Sequence, residues 1–385
     1  MIEISRLRGG IRMRKILFSI KQVLKMVLQN FVLPVVYRFW RLVYFKKKMD
    51  LIIFADAHHD AIPFSMERMH DALQQKGYQL TDVICDYGKM SQLQSALHAV
   101  RFMRLYARAR YVFICDNFLP VSSCRKSKRT TVVQLLHASG TFKKFGYDAT
   151  DDIPAGYIGN VYRNYDLVTV SSTYCEKTIR KSMKQPKGVV KALGSSRSDC
   201  YFDKAWLERC KTEFYARYPE AEGKKIILWA PTFRGNAADP KQVGMEAIQQ
   251  LEKTLGEEYF VIYKVHPHTD ARYHLSNCNI STERLYAVVD LLISDYSSVV
   301  FDFLLFKKPY VLFAPDLYDY QKKRGFYIKY NTLTPYIVTK EKNLKKVVID
   351  AMGNTNGEWI ERNKEYHLNC CDGCATERIM KYIGL

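Results

Sequence analysis

The stretch Leu291-Leu-Ile-Ser-Asp-Tyr-Ser-Ser-Val-Val-Phe-Asp302 begins as a short apolar strand and continues into polar residues that start a helix. A strand that enters a helix at Asp295 leaves backbone N–H groups and the positive end of the helix dipole exposed, and Ser297 and Ser298 add hydroxyl donors. Such a position favours a phosphate, although an ordinary helix cap without a ligand has the same pattern. A strand that leads straight into a helix is also the repeating unit of an α/β fold.

Apolar runs of strand length alternate with helical stretches on both sides of this stretch. The predicted strands are Leu51–Ala55, Val83–Cys85, Tyr111–Cys115, Val132–Leu136, Leu167–Val170, Lys225–Trp229, Tyr259–Val265, Leu291–Ser294 and Pro309–Ala314. The alternation stops at a charged connector over residues 204–224 and then resumes. We therefore predict two Rossmann-like domains that face each other across a cleft, over residues 50–203 and 225–358. For the last helical stretch, residues 359–385, a return to the first domain is one expected placement.

The composition restricts the class of protein. The chain has 385 residues, which favours two domains, and its 48% hydrophobic content supplies a large core. It carries 59 Lys and Arg against 39 Asp and Glu, and half of this excess lies in residues 1–50, where twelve basic residues face only Glu3 and Asp50. Because apolar and aromatic residues interrupt the basic ones, we predict an anionic membrane surface as partner and no nucleic acid.

Residues 1–49 are predicted to form a basic amphipathic membrane-association segment. Ile16, Ile20, Val23 and Val27 recur at helical spacing with basic and polar residues between them. The longest uncharged run, residues 26–37, has twelve residues and is too short to span a bilayer. The alternative is an amphipathic helix packed on the protein's own core. The predicted membrane-binding residues are Arg12, Arg14, Lys15, Lys21, Lys25, Trp40, Lys46, Lys47 and Lys48.

Chemically active side chains follow three of the predicted strands of the second domain. Thr232 and Arg234 follow Lys225–Trp229, His266 follows Tyr259–Val265, and Ser297 and Ser298 follow Leu291–Ser294. Because the carboxyl ends of parallel strands meet at one edge of a sheet, we expect these groups to form a cradle for a diphosphate.

His137 follows the fourth strand and precedes a loop that contains Gly140, Lys143 and Lys144. A neutral imidazole there could take a proton from an attacking hydroxyl, although a lone histidine can equally be structural. The chain has no G-x-x-x-x-G-K-[S/T], G-x-G-x-x-G or H-E-x-x-H motif, so ATPase, dinucleotide dehydrogenase and zinc protease classes lack their signatures. The ten cysteines are expected to be reduced cytosolic thiols, with no metal site.

Several motifs together resemble the CDP-glycerol glycerophosphotransferase family of teichoic acid synthesis. They are His137-Ala-Ser-Gly-Thr-Phe-Lys-Lys-Phe-Gly146, Ala230-Pro-Thr-Phe-Arg234, His266-Pro-His268, Ser294-Asp-Tyr-Ser-Ser-Val-Val-Phe-Asp302 and Lys323-Arg-Gly-Phe-Tyr327. The resemblance covers residues 50–385. The length and the insertion of Ala138 and Ser139 before Gly140 make the chain similar to the short, primase-like members.

The resemblance implies a GT-B fold, with the nucleotide donor held by the C-terminal domain and the acceptor approaching from the N-terminal domain. It implies that His137 is the base, that His266 and Arg234 share in catalysis, and that Gly140, Lys143 and Lys144 lie on an acceptor-side loop. The implied diphosphate-binding positions are Thr232, Arg234, His266, Asp295, Ser297, Ser298, Asp302 and Arg324.

The implied reaction moves glycerol phosphate, or a related alditol phosphate, from a CDP-glycerol or CDP-ribitol donor to a hydroxyl of an undecaprenyl-diphosphate-linked glycan, with release of CMP. The expected location is the cytoplasmic face of the membrane. No cofactor is predicted with certainty, and assistance by Mg²⁺ is left open. The alternatives are a GT-B glycosyltransferase or sugar-nucleotide epimerase that uses a nucleotide sugar, and a basic lipid- or nucleic-acid-binding protein without catalysis.

Overall fold

A computed structural model describes residues 23–47, 49–149, 152–153, 157–236, 239–354 and 357–385. The predicted membrane-binding residues Arg12, Arg14, Lys15, Lys21 and Lys48 lie outside these ranges. The chain divides into two units. The first contains Met1–Leu135 and Pro154–Val168, and the second contains Leu136–Ile153 and Thr169–Leu385. Both units consist of a parallel sheet with helices, as the alternation of strands and helices predicts.

The first unit contains a parallel sheet in the order β2-β1-β3-β4-β5. Its strands are β1 (Leu51–Asp56), β2 (Leu80–Ile84), β3 (Ala109–Ile114), β4 (Thr131–Gln134) and β5 (Leu167–Thr169). Its helices are α1 (Leu33–Val43), α2 (Phe64–Gln75), α3 (Gln92–Tyr106) and α4 (Leu119–Ser122). A capping box between Ser91 and Gln94 starts α3, because each side chain bonds the backbone N–H of the other residue.

Helix α1 and the π-helical turn before it, Leu28–Val32, attach to the first unit through an inner face with polar bonds. The hydroxyl of Tyr37 accepts a hydrogen bond from the Ser127 N–H at 2.9 Å, and Gln29 is buried beside Ser122 and Tyr157. The outer face is apolar and exposed, including Phe31 at 68%. A helix at a water-facing surface normally exposes its polar side chains, whereas this segment exposes apolar ones. In the part of the chain that the structure describes, no helix has the length and apolar character needed to cross a bilayer.

The second unit contains a five-stranded parallel sheet in the order β10-β7-β11-β12-β13 and a small antiparallel hairpin of β8 and β9. These strands are β7 (Lys225–Trp229), β8 (Arg234–Asn236), β9 (Asp239–Lys241), β10 (Tyr259–Tyr263), β11 (Leu291–Ser294), β12 (Tyr310–Phe313) and β13 (Ile337–Val338). The unit also contains the short strand β6 (Val190–Lys191), which is in neither of them and whose Lys191 O accepts the Val170 N–H at 3.0 Å. Its helices are α5 (Thr173–Ser182), α6 (Lys204–Arg217), α7 (Met245–Thr254), α8 (Pro267–Tyr273), α9 (Thr282–Leu285), α10 (Val299–Leu304), α11 (Leu317–Lys323), α12 (Leu344–Gly353), α13 (Glu358–Leu368) and α14 (Ala375–Ile383). Strands β7 and β11 are parallel neighbours inside the sheet, so the residues that follow them lie side by side at its carboxyl edge.

The boundaries of the two units differ from the predicted domain boundaries. Residues 136–153 and 169–203, predicted to be part of the N-terminal domain, belong to the second unit. Hydrogen bonds to α13 connect residues 169–203 to the second unit. Ser171 Oγ donates to the His367 carbonyl at 2.7 Å, and Ser172 Oγ donates to the Tyr366 carbonyl at 2.6 Å. The assignment of donor and acceptor domains stays a prediction.

The C-terminal stretch, predicted as one helix, consists of α13 and α14 with a turn at Cys370–Cys374 between them. Gly373 has φ +88° in this turn, a conformation that other residues rarely adopt, and it ends the helical path. The carboxylate of Asp199 caps α14 by accepting the N–H groups of Ala375 and Thr376 at 3.1 and 2.7 Å. Residues 359–385 thus contact residues 171–199.

Candidate active site

Asp295 connects the ends of β7 and β11. One carboxylate oxygen accepts the N–H groups of Thr232 and Tyr296 at 2.7 and 2.5 Å, and the other lies 2.9 Å from Arg234 Nη2. The side chain is buried. Its oxygens are engaged by protein donors, so Asp295 holds Thr232, Tyr296 and Arg234 in position, and its contact with the diphosphate stays a prediction.

Arg234 is held by two carboxylates and two aromatic rings. Its Nε and Nη2 donate to the two oxygens of Asp316 at 2.7 and 2.9 Å, in addition to the contact with Asp295. The guanidinium carbon lies 4.8 Å from the ring centre of Tyr296 and 5.1 Å from that of Tyr320. Burial would lower the pKa of Arg234, but the carboxylates outweigh it and raise the pKa above its ordinary value.

This arrangement leaves Arg234 charged and oriented, with its positive charge offset by Asp295 and Asp316. Burial raises the pKa of Asp316, but the hydrogen bonds and charge of Arg234 bring the pKa below its usual range. Sequence reasoning missed Asp316, although Ala314-Pro-Asp316 follows strand β12 at the same sheet edge. The position of that carboxylate after a central strand was the signal that could have identified it.

His266, Ser297 and Ser298 lie in the connections that follow β10 and β11, and all three are half-buried. The His266 ring packs on Phe233, which precedes Arg234, with 4.5 Å between ring centres. Ser298 is the N-cap of α10, and its side chain makes no capping bond to that helix. Their role as ligands of the donor diphosphate stays a prediction.

His137 lies on a loop with unusual backbone geometry. Leu136, directly before it, has φ +58°, and Gly140 has φ +68°. A leucine in the left-handed region is strained, and such strain concentrates at functional sites. A Cβ at Gly140 would approach Phe301 Cδ2 to 2.5 Å, so only glycine fits there. The His137 side chain itself is exposed.

Arg197 connects the His137 loop to helix α10. Its Nη1 donates to the His137 carbonyl, and its Nη2 donates to Asp302 at 2.5 Å and lies 3.5 Å from Glu283. Arg197 and Asp302 are both buried. One guanidinium therefore joins the backbone of the predicted base to the helix that follows Ser297 and Ser298.

Asp302 is thus the buried partner of Arg197, and its place among the diphosphate-binding positions, which the family resemblance implies, stays a prediction. Burial raises the pKa of Asp302, and the charge of Arg197 and a hydrogen bond from Ser139 oppose this shift. Removing one partner of such a pair would leave a buried charge without compensation. Sequence reasoning missed Arg197, although it lies soon after β6, in a polar stretch that follows Gly194.

The Arg324–Tyr327 segment is hydrogen-bonded through its backbone to the loop that carries Lys143 and Lys144. The N–H of Lys144 donates to Gly325 O at 3.1 Å, that of Tyr327 to Phe142 O at 2.8 Å, and Lys143 pairs with Phe326 in an antiparallel bridge. Arg324 adds bonds of 2.7 Å to Lys144 O and to Asp152. Arg324 thus fixes the position of this loop, and its role in diphosphate binding stays a prediction.

Lys143 lies among the charged groups of the second unit. Burial lowers its pKa, and the charge of Arg324 lowers it further, while Asp295 and Asp152 act in the opposite direction. A partly desolvated ammonium among these groups suits an anion that supplies compensating charge. Lys144, by contrast, is exposed.

The sequence is similar to those of teichoic acid polymerases and primases. The chain is 31% identical over 361 residues to a teichoic acid poly(ribitol-phosphate) polymerase of Bacillus spizizenii, with 87% of this chain and 56% of that protein covered. It is 27% identical to a teichoic acid ribitol-phosphate primase of the same organism, with 87% and 91% covered. The chain thus spans little more than half of the polymerase and nearly all of the primase.

Solved structures of the wall teichoic acid polymerase TagF have a similar fold. One matches with a TM-score of 0.72 at 19% identity, covering 95% of this chain and 96% of that chain. A putative UDP-N-acetylglucosamine 2-epimerase from Listeria monocytogenes matches with a TM-score of 0.55 at 13% identity, covering 87% and 96%. At these identities the likeness shows the fold alone, and the predicted GT-B-like α/β fold is confirmed.

The model of the family described as CDP-Glycerol:Poly(glycerophosphate) glycerophosphotransferase matches residues 36–385. That range includes every residue of the second unit and all the motifs on which the resemblance rests. The chain therefore belongs to the CDP-glycerol:poly(glycerophosphate) glycerophosphotransferase family, a family of phosphotransferases.

Proposed function

We propose that the chain transfers an alditol phosphate from a CDP-activated donor to a hydroxyl of a lipid-linked glycan in teichoic acid synthesis. The observation that carries this proposal is the Arg197 bridge, which joins the carbonyl of His137 to Asp302 within one unit. Family membership and the teichoic acid primases among the relatives support the same chemistry. A TagF variant soaked with CDPG supports a CDP-glycerol type of donor.

In the proposed reaction the acceptor hydroxyl attacks the β-phosphorus of the donor in line. The new bond joins that phosphorus to the acceptor oxygen, and the bond to the bridging oxygen of the diphosphate breaks, so CMP leaves. His137 takes the proton from the attacking hydroxyl. His266, Lys143 and the N–H groups at Ser297 and Ser298 stabilise the negative charge, while Asp295 and Asp316 orient Arg234 beside them.

The membrane surface is the proposed location of this reaction, on its cytoplasmic face. Exposed apolar residues of the N-terminal helical segment recur at a helical spacing and include Phe31, Val35 and Leu42, at 68%, 65% and 76%. Cations flank this stripe, and Lys25, Lys46 and Lys47 are exposed. An apolar stripe edged by lysines suits the interface of an anionic bilayer, because the stripe enters the acyl boundary while the ammonium groups stay in the headgroups.

The product identifies the reaction. Purified protein is incubated with CDP-glycerol or CDP-ribitol and a synthetic lipid-linked disaccharide, and the products are weighed by mass spectrometry. We expect CMP and an acceptor heavier by one or more alditol phosphate units joined through a phosphodiester. A UDP-sugar is the matched control donor. Release of UDP with a new glycosidic bond, together with inert CDP-alditols, would replace the proposal with a glycosyltransferase.

A further inference from the structure

We propose that the first unit carries a binding site for the phosphate of an anionic phospholipid headgroup, in a cavity between α3 and the end of α1. The cavity has a volume of about 390 Å³ and is lined by Tyr44, Arg101, Arg104, Leu105 and Arg108. This inference rests on the proposed membrane attachment and adds a specific ligand to it. It concerns residues outside the candidate active site.

The helix geometry brings the three arginines to one wall. Arg101, Arg104 and Arg108 are spaced by three and four residues along α3 and its end, so they lie on one helix face. Like charges at this spacing repel each other, and the repulsion destabilises a helix unless an anion compensates it. The cluster therefore has an electrostatic cost in the ligand-free protein.

Protein carboxylates offset little of that charge. Arg108 Nη2 lies 3.4 Å from Asp50, a half-exposed side chain. Among the described residues, neither Arg101 nor Arg104 forms a salt bridge, and the buried Nε of Arg108 donates no hydrogen bond. A guanidinium donor that is buried without an acceptor is costly, and a phosphate oxygen in the cavity would supply the acceptor.

Aromatic side chains of α1 and the residues after it hold Arg104 and Arg108 in place. Arg104 Nε donates to the Tyr44 hydroxyl at 2.9 Å, and its guanidinium lies 5.0 Å from the ring centre of Trp40. Arg108 lies 5.5 Å from the ring centre of Tyr44. A wall of stacked, oriented guanidinium groups binds phosphate through paired N–H donors with little loss of side-chain freedom.

The position of Tyr44 favours a lipid as the source of the phosphate. Tyr44 lies between Leu42 and Phe45, which are 76% and 73% exposed at the end of the apolar stripe. When that stripe enters the acyl boundary, Tyr44 and the cavity it lines are at the depth of the headgroups. Basic pockets beside a membrane-embedded element recognise anionic headgroups in this way.

The test compares vesicle binding by three variants of the full chain. R101Q/R104Q/R108Q removes the charge, R101K/R104K/R108K keeps the charge but removes the paired donors, and K76Q/K187Q/K253Q removes three exposed lysines elsewhere. Binding is measured by flotation on phosphatidylcholine vesicles with and without phosphatidylglycerol. Circular dichroism and thermal unfolding verify that each variant is folded.

We expect the glutamine variant to lose about 100-fold and the lysine variant roughly 10-fold in affinity for the phosphatidylglycerol vesicles. Binding to pure phosphatidylcholine and binding by the surface-lysine control should change less than about 5-fold. Wild-type affinity in the lysine variant, or equal losses in the two glutamine variants, would overturn the site, because general surface charge would then explain the attraction.

Two further experiments complete the test. One distinguishes a lipid headgroup from free phosphate as the ligand, and the other distinguishes the phosphate site from the proposed membrane attachment. Soluble dihexanoyl phosphatidylglycerol should bind more tightly than inorganic phosphate in titration calorimetry, and equal affinities would overturn the assignment to a lipid. A stripe variant, F31S/L42S/F45S, should lose binding to both kinds of vesicle. If it binds normally while the arginine variants lose phosphatidylglycerol, the proposed attachment fails and the phosphate site stands.

Discussion

The two groups of arginines in this protein differ in how their charge is compensated. In the second unit, Arg197 and Arg234 are mostly buried, and carboxylates lie within 3.0 Å of each guanidinium. In the first unit, Arg101, Arg104 and Arg108 line a cavity, and Asp50, 3.4 Å from Arg108, is their carboxylate partner among the described residues. The first pattern builds a framework that orients other groups, and the second leaves charge available for an anion. Arginine in a sequence motif is thus not by itself a sign of phosphate contact.

The largest effect should come from the group that the framework orients. Replacing His137 with Gln keeps a polar side chain of similar size but removes the base, and we expect kcat for alditol phosphate transfer to fall by about 10²–10⁴. Thermal unfolding should change little because the side chain is exposed. His58→Gln, at an exposed histidine of the first unit, is the control and should retain full rate. Transfer at a normal rate by His137→Gln would remove His137 from the mechanism.

The framework itself can be broken and partly restored. Arg197→Met should lower the free energy of unfolding by about 3–5 kcal/mol, because it leaves Asp302 buried without its partner. The double variant R197M/D302L removes both charges and should recover most of that stability, measured by denaturant titration.

Activity separates stability from positioning in the same variants. The double variant should remain slow, with kcat reduced more than KM for the donor, since the His137 carbonyl has lost the Arg197 donor. Full recovery of both stability and kcat would show that the pair only fills space and that Arg197 does not orient the His137 loop.

A buried histidine provides a pH test of the same unit. His367 packs on Phe301 with 4.2 Å between ring centres, and burial lowers the pKa of His367 to about 3. The unfolded chain, with a pKa near 6.5, then binds a proton that the folded chain does not, so stability should fall as the pH falls from about 6.5 towards 3. At pH 5 the loss is about 2 kcal/mol relative to pH 8.

The variant His367→Phe should remove that part of the pH dependence and leave the rest of the curve unchanged. Unfolding by urea at several pH values measures it directly. An unchanged pH dependence in the variant would mean that other groups, such as the paired carboxylates, account for the acid sensitivity.

The smallest effect should come from the loop that carries Lys143 and Lys144, where it contacts the Arg324–Tyr327 segment. Tyr327→Phe removes the exposed 2.8 Å hydrogen bond from the Tyr327 hydroxyl to Asp148 and should cost about 1 kcal/mol. Tyr318→Phe, at a tyrosine that is 79% exposed, is the matched control and should be neutral. Equal unfolding midpoints for the two variants would show that the backbone bonds alone hold the loop.

Local sequence predicted the central elements well. The strands at Lys225–Trp229 and Leu291–Ser294 have the predicted limits, because short runs of Ile and Leu between polar ends can only be buried on both faces of a parallel sheet. The hairpin of β8 and β9 was missed, since its three-residue strands contain Gly and Pro and carry no period. The single C-terminal helix was wrong at the turn where Gly373 leaves the helical region.

The sequence by itself determined the order of strands and helices, the strand ends that carry His266, Arg234 and the serines, and the family, because these depend on neighbours along the chain. Only the tertiary structure decided which charges are compensated. Asp302 and Arg197 are 105 residues apart, a separation that no local sequence motif covers. Their pairing depends on how the loops pack in three dimensions. Burial and charge pairing arise from such distant contacts, so they separate the residues that position the site from those left to bind a ligand.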